Sequence, residues 1–184
     1  ASYWLDMGVD GFRLDATHTY ISDRELRDNP AREGGPVATD IPRSNPMAYQ
    51  IRKNSVNTPD NIPWIEEIRA HVNQWDDRCL LAEAGGDDAE VEAANVVKTN
   101  KRFHMAYSFG FVNSAMTKAD ILKTVNKVED TLEDGWMCWS IGNHDYKRAI
   151  SRVNPHYKNK TDLAKYLMAF CLSLRGSVCM YQGE

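Results

Sequence analysis

Apolar residues along the chain alternate between two spacings, and the alternation predicts the elements. Ser2 to Met7 reads as the last turn of a helix, with Gly8 where a left-handed cap is common, and GFRLD at Gly11–Asp15 follows as a strand. From Trp64 the positions Ile65, Ile68, Val72 and Trp75 recur at helical spacing, and the apolar run Cys79–Ala82 leads as a strand to Glu83. The pattern then repeats. A helical stretch over Asp87–Lys98 precedes a strand at His104–Phe109, and a helix over Lys118–Leu132 with Ile121, Leu122, Val125 and Val128 precedes a strand at Met137–Ile141. An amphipathic helix marked by Leu163, Tyr166, Leu167, Phe170 and Leu174 comes before a final strand at Val178–Tyr181. Six of the seven prolines, with Gly34-Gly35, fall between Ser22 and Pro63, which marks a long irregular connection; loops of such length are usually functional or disordered.

Strand and helix in alternation argue for parallel βα units, as a barrel or as a doubly wound sheet. Five strands in 184 residues are too few to close a (β/α)8 barrel, which needs eight strands and about 250 residues. If this α/β chain belongs to a barrel, residues 1–184 are therefore one portion of it, a partial (β/α)8 TIM barrel. A doubly wound binding domain would carry a glycine-rich phosphate turn after its first strand, and residues 15–22 hold no glycine.

Composition narrows the partners. With 42% hydrophobic and 26% charged residues the chain is an ordinary globular protein, and a net charge of −4 without a run of Lys or Arg offers no stripe for a phosphate backbone, so no nucleic-acid partner is expected. Apolar runs such as Met168–Leu172 fall far short of the roughly 20 residues that span a bilayer, so no membrane partner is expected either. Cys79, Cys138, Cys171 and Cys179 lie in apolar stretches without C-x-x-C spacing and read as small buried hydrophobes, which favours a reducing, cytoplasmic location.

Three acids follow strands: Asp15, Glu83 and, just beyond WSIGN, Asp145. In a parallel sheet the carboxyl ends share one side, where active sites of such folds lie. Each acid alone could cap a following helix; three in register point to one shared site. Arg13 and Asp15 stand two apart on a strand and so face the same way, which should keep Asp15 ionised, as a nucleophile requires. Glu83, between Ala82 and Ala84, is expected to be desolvated and able to hold a proton. A carboxylate and a carboxyl in divergent environments suit retaining glycoside hydrolysis. His144 adds a hydrogen-bond donor beside Asp145, and His18 is close enough after Asp15 to line the same pocket. Tyr20, Phe109, Phe111 and Tyr146 fall at strand ends, where sugar rings stack, although core packing is the commoner role.

On these residues a resemblance emerges. DGFRLDA at Asp10–Ala16, LLAEAG at Leu80–Gly85 and IGNHD at Ile141–Asp145 resemble three ordered signature segments of glycoside hydrolase family 13, the α-amylase family, and LSLRGSVCMYQGE at Leu172–Glu184 resembles its last barrel strand. RDNP at Arg27–Pro30 and HMAYSFGF at His104–Phe111 are similar to the bacterial α-glucosidase branch. The resemblance implies a retaining α-glucosidase acting on a small α-glucoside, with Asp15 as nucleophile, Glu83 as acid/base and Asp145 as transition-state stabiliser. It places Arg13 beside the nucleophile, His144 on a sugar hydroxyl and Arg148 in the pocket. Ala16, next to the nucleophile, implies a preference for α-1,4 links over α-1,6. A sucrose- or trehalose-acting transferase or isomerase with the same acids, and a non-catalytic relative, are the alternatives. No cofactor is implied, and calcium is left open for a longer protein. The family's third-strand signature is absent, and Ala84-Gly85-Gly86 stands where an aromatic or Val-Trp-like continuation is common. What is present resembles strands four to eight, so the expectation is a partial sequence whose half barrel exposes strand edges and is poorly stable and inactive alone.

Overall fold

The computed structural model describes residues 1–36 and 41–184. Part of the expected Ser22–Pro63 connection, residues 37–40, lies outside the described residues. The elements are α1 (Ser2–Asp6), β1 (Gly11–Leu14), α2 (Asn61–Val72), β2 (Cys79–Glu83), α3 (Ala89–Asn95), β3 (Met105–Tyr107), α4 (Lys118–Leu132), β4 (Met137–Trp139), α5 (Ala149–Arg152), α6 (Lys160–Ser173) and β5 (Ser177–Val178). The strands form a single parallel sheet in the order β1-β2-β3-β4-β5. Each crossover between neighbours passes through at least one helix, the arrangement that parallel pairing demands.

Register sorts the side chains. Arg13 pairs with Leu81, Leu81 with Met105, Glu83 with Tyr107 and Tyr107 with Cys138; these residues therefore share one face. The other face carries Leu80, Ala82, Ala106, Met137 and Trp139, all buried, against Ile65, Val72, Val128, Leu132 and Leu167 of the helices. Phe111 stacks on Trp139 at 5.5 Å and meets Phe170 edge-on at 5.2 Å, so it belongs to this core rather than to a sugar-stacking surface.

The sheet is curved. Laid flat, β1 and β5 would stand four strand spacings, about 19 Å, apart. Yet the charge of Arg13 acts on Cys179, just beyond β5, and on Tyr107 of β3. One face is thus concave and gathers the inward side chains, as in an arc of a (β/α)8 barrel. Cys79, Cys138, Cys171 and Cys179 are free thiols. Cys138 and Cys179 hydrogen-bond each other on the concave side, which pushes the Cys179 thiol down and the Cys138 thiol up.

Several boundaries differ from the hydrophobic pattern for local reasons. α2 starts at Asn61, not Trp64, because proline is tolerated in a first helical turn and Pro63 needs no amide partner there. β4 ends at Trp139 and β5 at Val178, and the Cys179 amide just beyond β5 still donates to the Trp139 carbonyl at 2.8 Å. A short helix, α5, occupies part of the polar loop after β4, started by the extended Arg148. α4 is the best-signalled helix: Thr117 accepts from the Asp120 amide at 3.2 Å while the Asp120 carboxylate accepts from the Thr117 amide at 3.0 Å, closing a capping box. The long connection is partly organised, with a 3-10 turn at Pro46–Tyr49 and the amides of Arg32 and Ile51 donating to the carbonyls of Tyr49 and Pro30 at 2.7 and 2.8 Å.

Gly11 and Gly176 let the backbones of adjacent strands approach. A Cβ at Gly11 would lie 1.9 Å from the Cys79 carbonyl oxygen, and one at Gly176 would lie 2.5 Å from that of Met137. Gly11→Ala must therefore displace β1 from β2, and a loss of about 1–3 kcal/mol is expected in urea unfolding of the whole protein. An unchanged midpoint would show that the strands do not pair this closely.

Candidate active site

The site forms where β1 and β2 end: Arg13 points inward from β1, Asp15 follows the strand, and Glu83 is the last residue of β2. With Arg13 paired to Leu81, two further residues along each parallel strand bring Asp15 and Glu83 opposite one another. The Arg13 guanidinium spans both: Nη1 contacts Asp15 Oδ1, and Nη2 lies 3.0 Å from Glu83 Oε1. Exposure divides the pair. The Asp15 side chain is 78% exposed and that of Glu83 is 13% exposed.

Asp15 is held below the usual carboxylate range, first by the hydrogen bond from Arg13, then by a hydrogen bond with Glu83, and further by the charge of Arg13. A smaller contribution comes from His144, so the loop after β4 reaches electrostatically to the end of β1. This agrees with the expectation of an ionised Asp15. The expectation of Glu83 as a carboxyl isolated among apolar neighbours needs correction. Glu83 is buried, but Arg13 reaches it from the adjacent strand and the Ala16 amide donates to its Oε2 at 2.9 Å. The alanines beside Glu83 in sequence face the opposite side of the strand, so they do not set its surroundings.

Ala16 makes that contact from a left-handed conformation, φ 43° and ψ 43°, which an alanine adopts at a cost and a β-branched residue rarely adopts. Asp145 and His144 sit on the loop beyond β4, further from the strand than the apolar run suggested because β4 stops at Trp139. Their side chains pair at 3.4 Å and are 60% and 61% exposed. Among the described residues no hydrogen bond or ion pair joins Asp145 to Asp15 or Glu83. Arg148 donates to the Gln182 carbonyl at 2.5 Å, lies over the Tyr181 ring at 4.5 Å and stands 3.7 Å from Glu184. Its guanidinium is thus committed to the segment after β5.

Other residues join the site, some of them, such as Tyr107, Asn143 and His18, from segments singled out in the sequence, although their contacts are not legible there. The Tyr107 hydroxyl, level with Glu83 on β3, donates to Ser140 Oγ at 3.0 Å and to the Gly142 carbonyl at 3.1 Å, and it hydrogen-bonds Asn143. Asn143 Oδ1 in turn accepts from the Asp145 amide at 2.9 Å. One buried phenol therefore ties the acid-bearing loop to the sheet. Glu83 itself lines a cavity of about 750 Å3, together with Ala16, His18, Phe109, Asp120 and Lys127 among others. Ion pairs of Arg32 and Arg52 with Asp87, the latter at 3.3 Å, dock the long connection beside it. Among the described residues no three His, Cys, Asp or Glu side chains gather to hold a metal ion, and no helix is long and apolar enough to cross a membrane.

Comparison with known proteins follows the same lines. The family model for the alpha amylase catalytic domain matches residues 1–184. A probable alpha-glucosidase of Rhizobium meliloti (strain 1021) is 35% identical over 188 residues, covering 99% of this chain and 34% of the relative. The oligo-1,6-glucosidase of Parageobacillus thermoglucosidasius is 27% identical over 194 residues, covering 99% and 33%. A crystal structure of an alpha-glucosyl transfer enzyme, XgtA, superposes with a TM-score of 0.90 at 38% identity, covering 99% of this chain and 34% of that one. The chain thus spans about a third of the length of these proteins.

Replacing Arg13 with Gln removes the largest cause of the low Asp15 pKa. The Asp15 carboxyl resonance, followed by NMR against pH, should then titrate at higher pH, towards the ordinary carboxylate value. A midpoint that stays in place would mean that Arg13 does not govern Asp15.

Proposed function

The chain belongs to the α-amylase family, and from that premise we propose that the whole protein is a retaining α-glucosidase, a glycoside hydrolase that releases terminal glucose from α-1,4-linked, maltose-like saccharides by double displacement. The observation that carries the reading is the placement of Asp15 and Glu83 opposite one another at the ends of β1 and β2, spanned by the one Arg13 guanidinium. Inverting enzymes hold their carboxyl groups about 6.5–9.5 Å apart to admit a water, whereas retaining enzymes hold them about 5–5.5 Å apart. Carboxyl groups at the ends of adjacent strands, both contacted by one guanidinium, favour the second arrangement.

In the first step an Asp15 carboxylate oxygen attacks the anomeric carbon while Glu83 gives its proton to the glycosidic oxygen. The bond from that carbon to the leaving group breaks and a glucosyl ester forms on Asp15. In the second step Glu83, now a carboxylate, takes a proton from water, the water oxygen attacks the same carbon, and Asp15 leaves as carboxylate. Arg13 keeps Asp15 anionic and aimed. Asp145 and His144, exposed together above the sheet, suit the gripping of sugar hydroxyls, and Arg148 acts at the rim through the segment after β5. Ala16 leaves room beside the nucleophile, which underlies the proposed α-1,4 preference. This chemistry calls for no cofactor. The substrate is an uncharged small molecule, and the unpaired thiols support the cytoplasm as its setting.

The 38% identity to a glucosyl transfer enzyme favours one second reading, in which a sugar hydroxyl replaces water in the second step. The ratio of transfer to hydrolysis at low sugar concentration separates the two.

The test is product stereochemistry in the whole protein. Proton NMR at early times should show α-glucose as the first-formed anomer, and Asp15→Asn should abolish turnover while Glu83→Gln lowers it by about 10²–10⁴-fold on maltose. Initial β-glucose, or an Asp15→Asn variant with undiminished rate, would overturn the assignment.

A further inference from the structure

Three consecutive residues after Asp15 hold the strand end that carries Glu83. The Ala16 amide donates to the Glu83 carboxylate at 2.9 Å, the Thr17 hydroxyl donates to the Glu83 carbonyl at 2.8 Å, and His18 Nδ1 accepts from the Gly85 amide at 3.2 Å. The contacts by Thr17 and His18 are backed from elsewhere in the chain. Asn61 Nδ2 donates to the Thr17 carbonyl at 2.9 Å. Asn57 closes a loop around His18, its amide donating to the His18 carbonyl at 2.8 Å and its side-chain Nδ2 to the Gly85 carbonyl at 3.0 Å.

The Gly85 amide lies beyond the last residue of β2 and so has no ladder partner, and the imidazole supplies its acceptor. That role requires an unprotonated Nδ1. Burial lowers the His18 pKa, with the charge of Arg52 acting in the same sense, against a hydrogen bond to the Glu83 backbone carbonyl and the charge of Asp15, which raise it. The ring also forms a wall of the cavity that Glu83 lines. A carboxyl whose backbone is fixed on both sides can meet a leaving-group oxygen from only one direction, and proton transfer depends on that direction.

We infer that His18 is the positioning residue of the acid/base: by holding the Gly85 amide it fixes the angle at which Glu83 protonates the departing oxygen, and the loop that follows the nucleophile thereby sets the geometry of its partner. The inference rests on the reading of Glu83 as the proton donor. It predicts an effect that scales with the leaving group's need for a proton, since fluoride departs without one and a sugar alkoxide does not.

The experiment compares kcat/KM, which reports the glycosylation step alone, for maltose and for α-glucosyl fluoride in the whole protein and its His18→Ala, His18→Asn and Glu83→Gln variants. His18→Ala should lose about tenfold or more on maltose and less than about threefold on the fluoride. His18→Asn, whose Oδ1 can accept from the Gly85 amide in place of Nδ1, should recover most of the loss on maltose. Glu83→Gln should show the same asymmetry more strongly. Equal losses of His18→Ala on both substrates, or no loss on maltose, would overturn the inference while a Glu83→Gln asymmetry leaves the function intact. If Glu83→Gln shows no asymmetry, the acid assignment fails and the role of His18 fails with it.

Discussion

Asp15 and Glu83 stand side by side at the ends of neighbouring strands, where two carboxyl groups without a cation between them could not both ionise without repulsion. Arg13 makes their closeness possible. Its guanidinium is planar, permanently charged and forked, so one side chain can face a carboxylate with each nitrogen. A lysine ammonium, a compact charge on a flexible stem, lacks this fixed fork. The same contact divides the two acids: the exposed one is held as an anion, and the buried one is steadied by a backbone amide besides.

That contact exists only because of strand register. Arg13, Leu81 and Met105 lie at one level of the sheet, and Glu83 and Tyr107 at the next. Close approach of the strands requires glycine at Gly11 and Gly176, and the curve of the sheet brings β5 and the loop after β4 round towards β1. Inward positions carry the polar Arg13, Glu83 and Tyr107 with Cys138, beside Leu81 and Met105, while the outward face is the apolar seam against the helices. The two faces of one sheet carry separate tasks: stability outside, chemistry within.

The loops are fixed by polar contacts from distant segments. Tyr107 holds the loop bearing Asp145, and Thr17, His18, Asn57 and Asn61 hold the loop beyond Glu83. Asn57 sits in a left-handed conformation, φ 53°, which asparagine tolerates better than most residues, and it joins two loops that are far apart in the chain. Nothing near these residues in sequence announces such roles, because a hydroxyl or an amide gains its meaning from whatever the fold brings within 3 Å. Arg148 teaches the converse. The resemblance implies a place in the pocket, whereas its guanidinium lies on Tyr181 and Gln182.

By itself the sequence determined the alternation of helix and strand, because apolar spacing records which side of each element is buried. It also determined that Asp15 and Glu83 end strands on a common side, since parallel βα units leave no other choice. Boundaries at Asn61, Trp139 and Val178 were decided by local hydrogen bonding, which spacing does not encode. Only the tertiary structure decided that Arg13 spans both acids, that Phe111 belongs to the core while Phe109 lines the cavity, and that three residues after Asp15 grip the strand end of Glu83. Those relations run between residues tens of positions apart, and register and curvature, which are properties of the assembled sheet, are what bring them together.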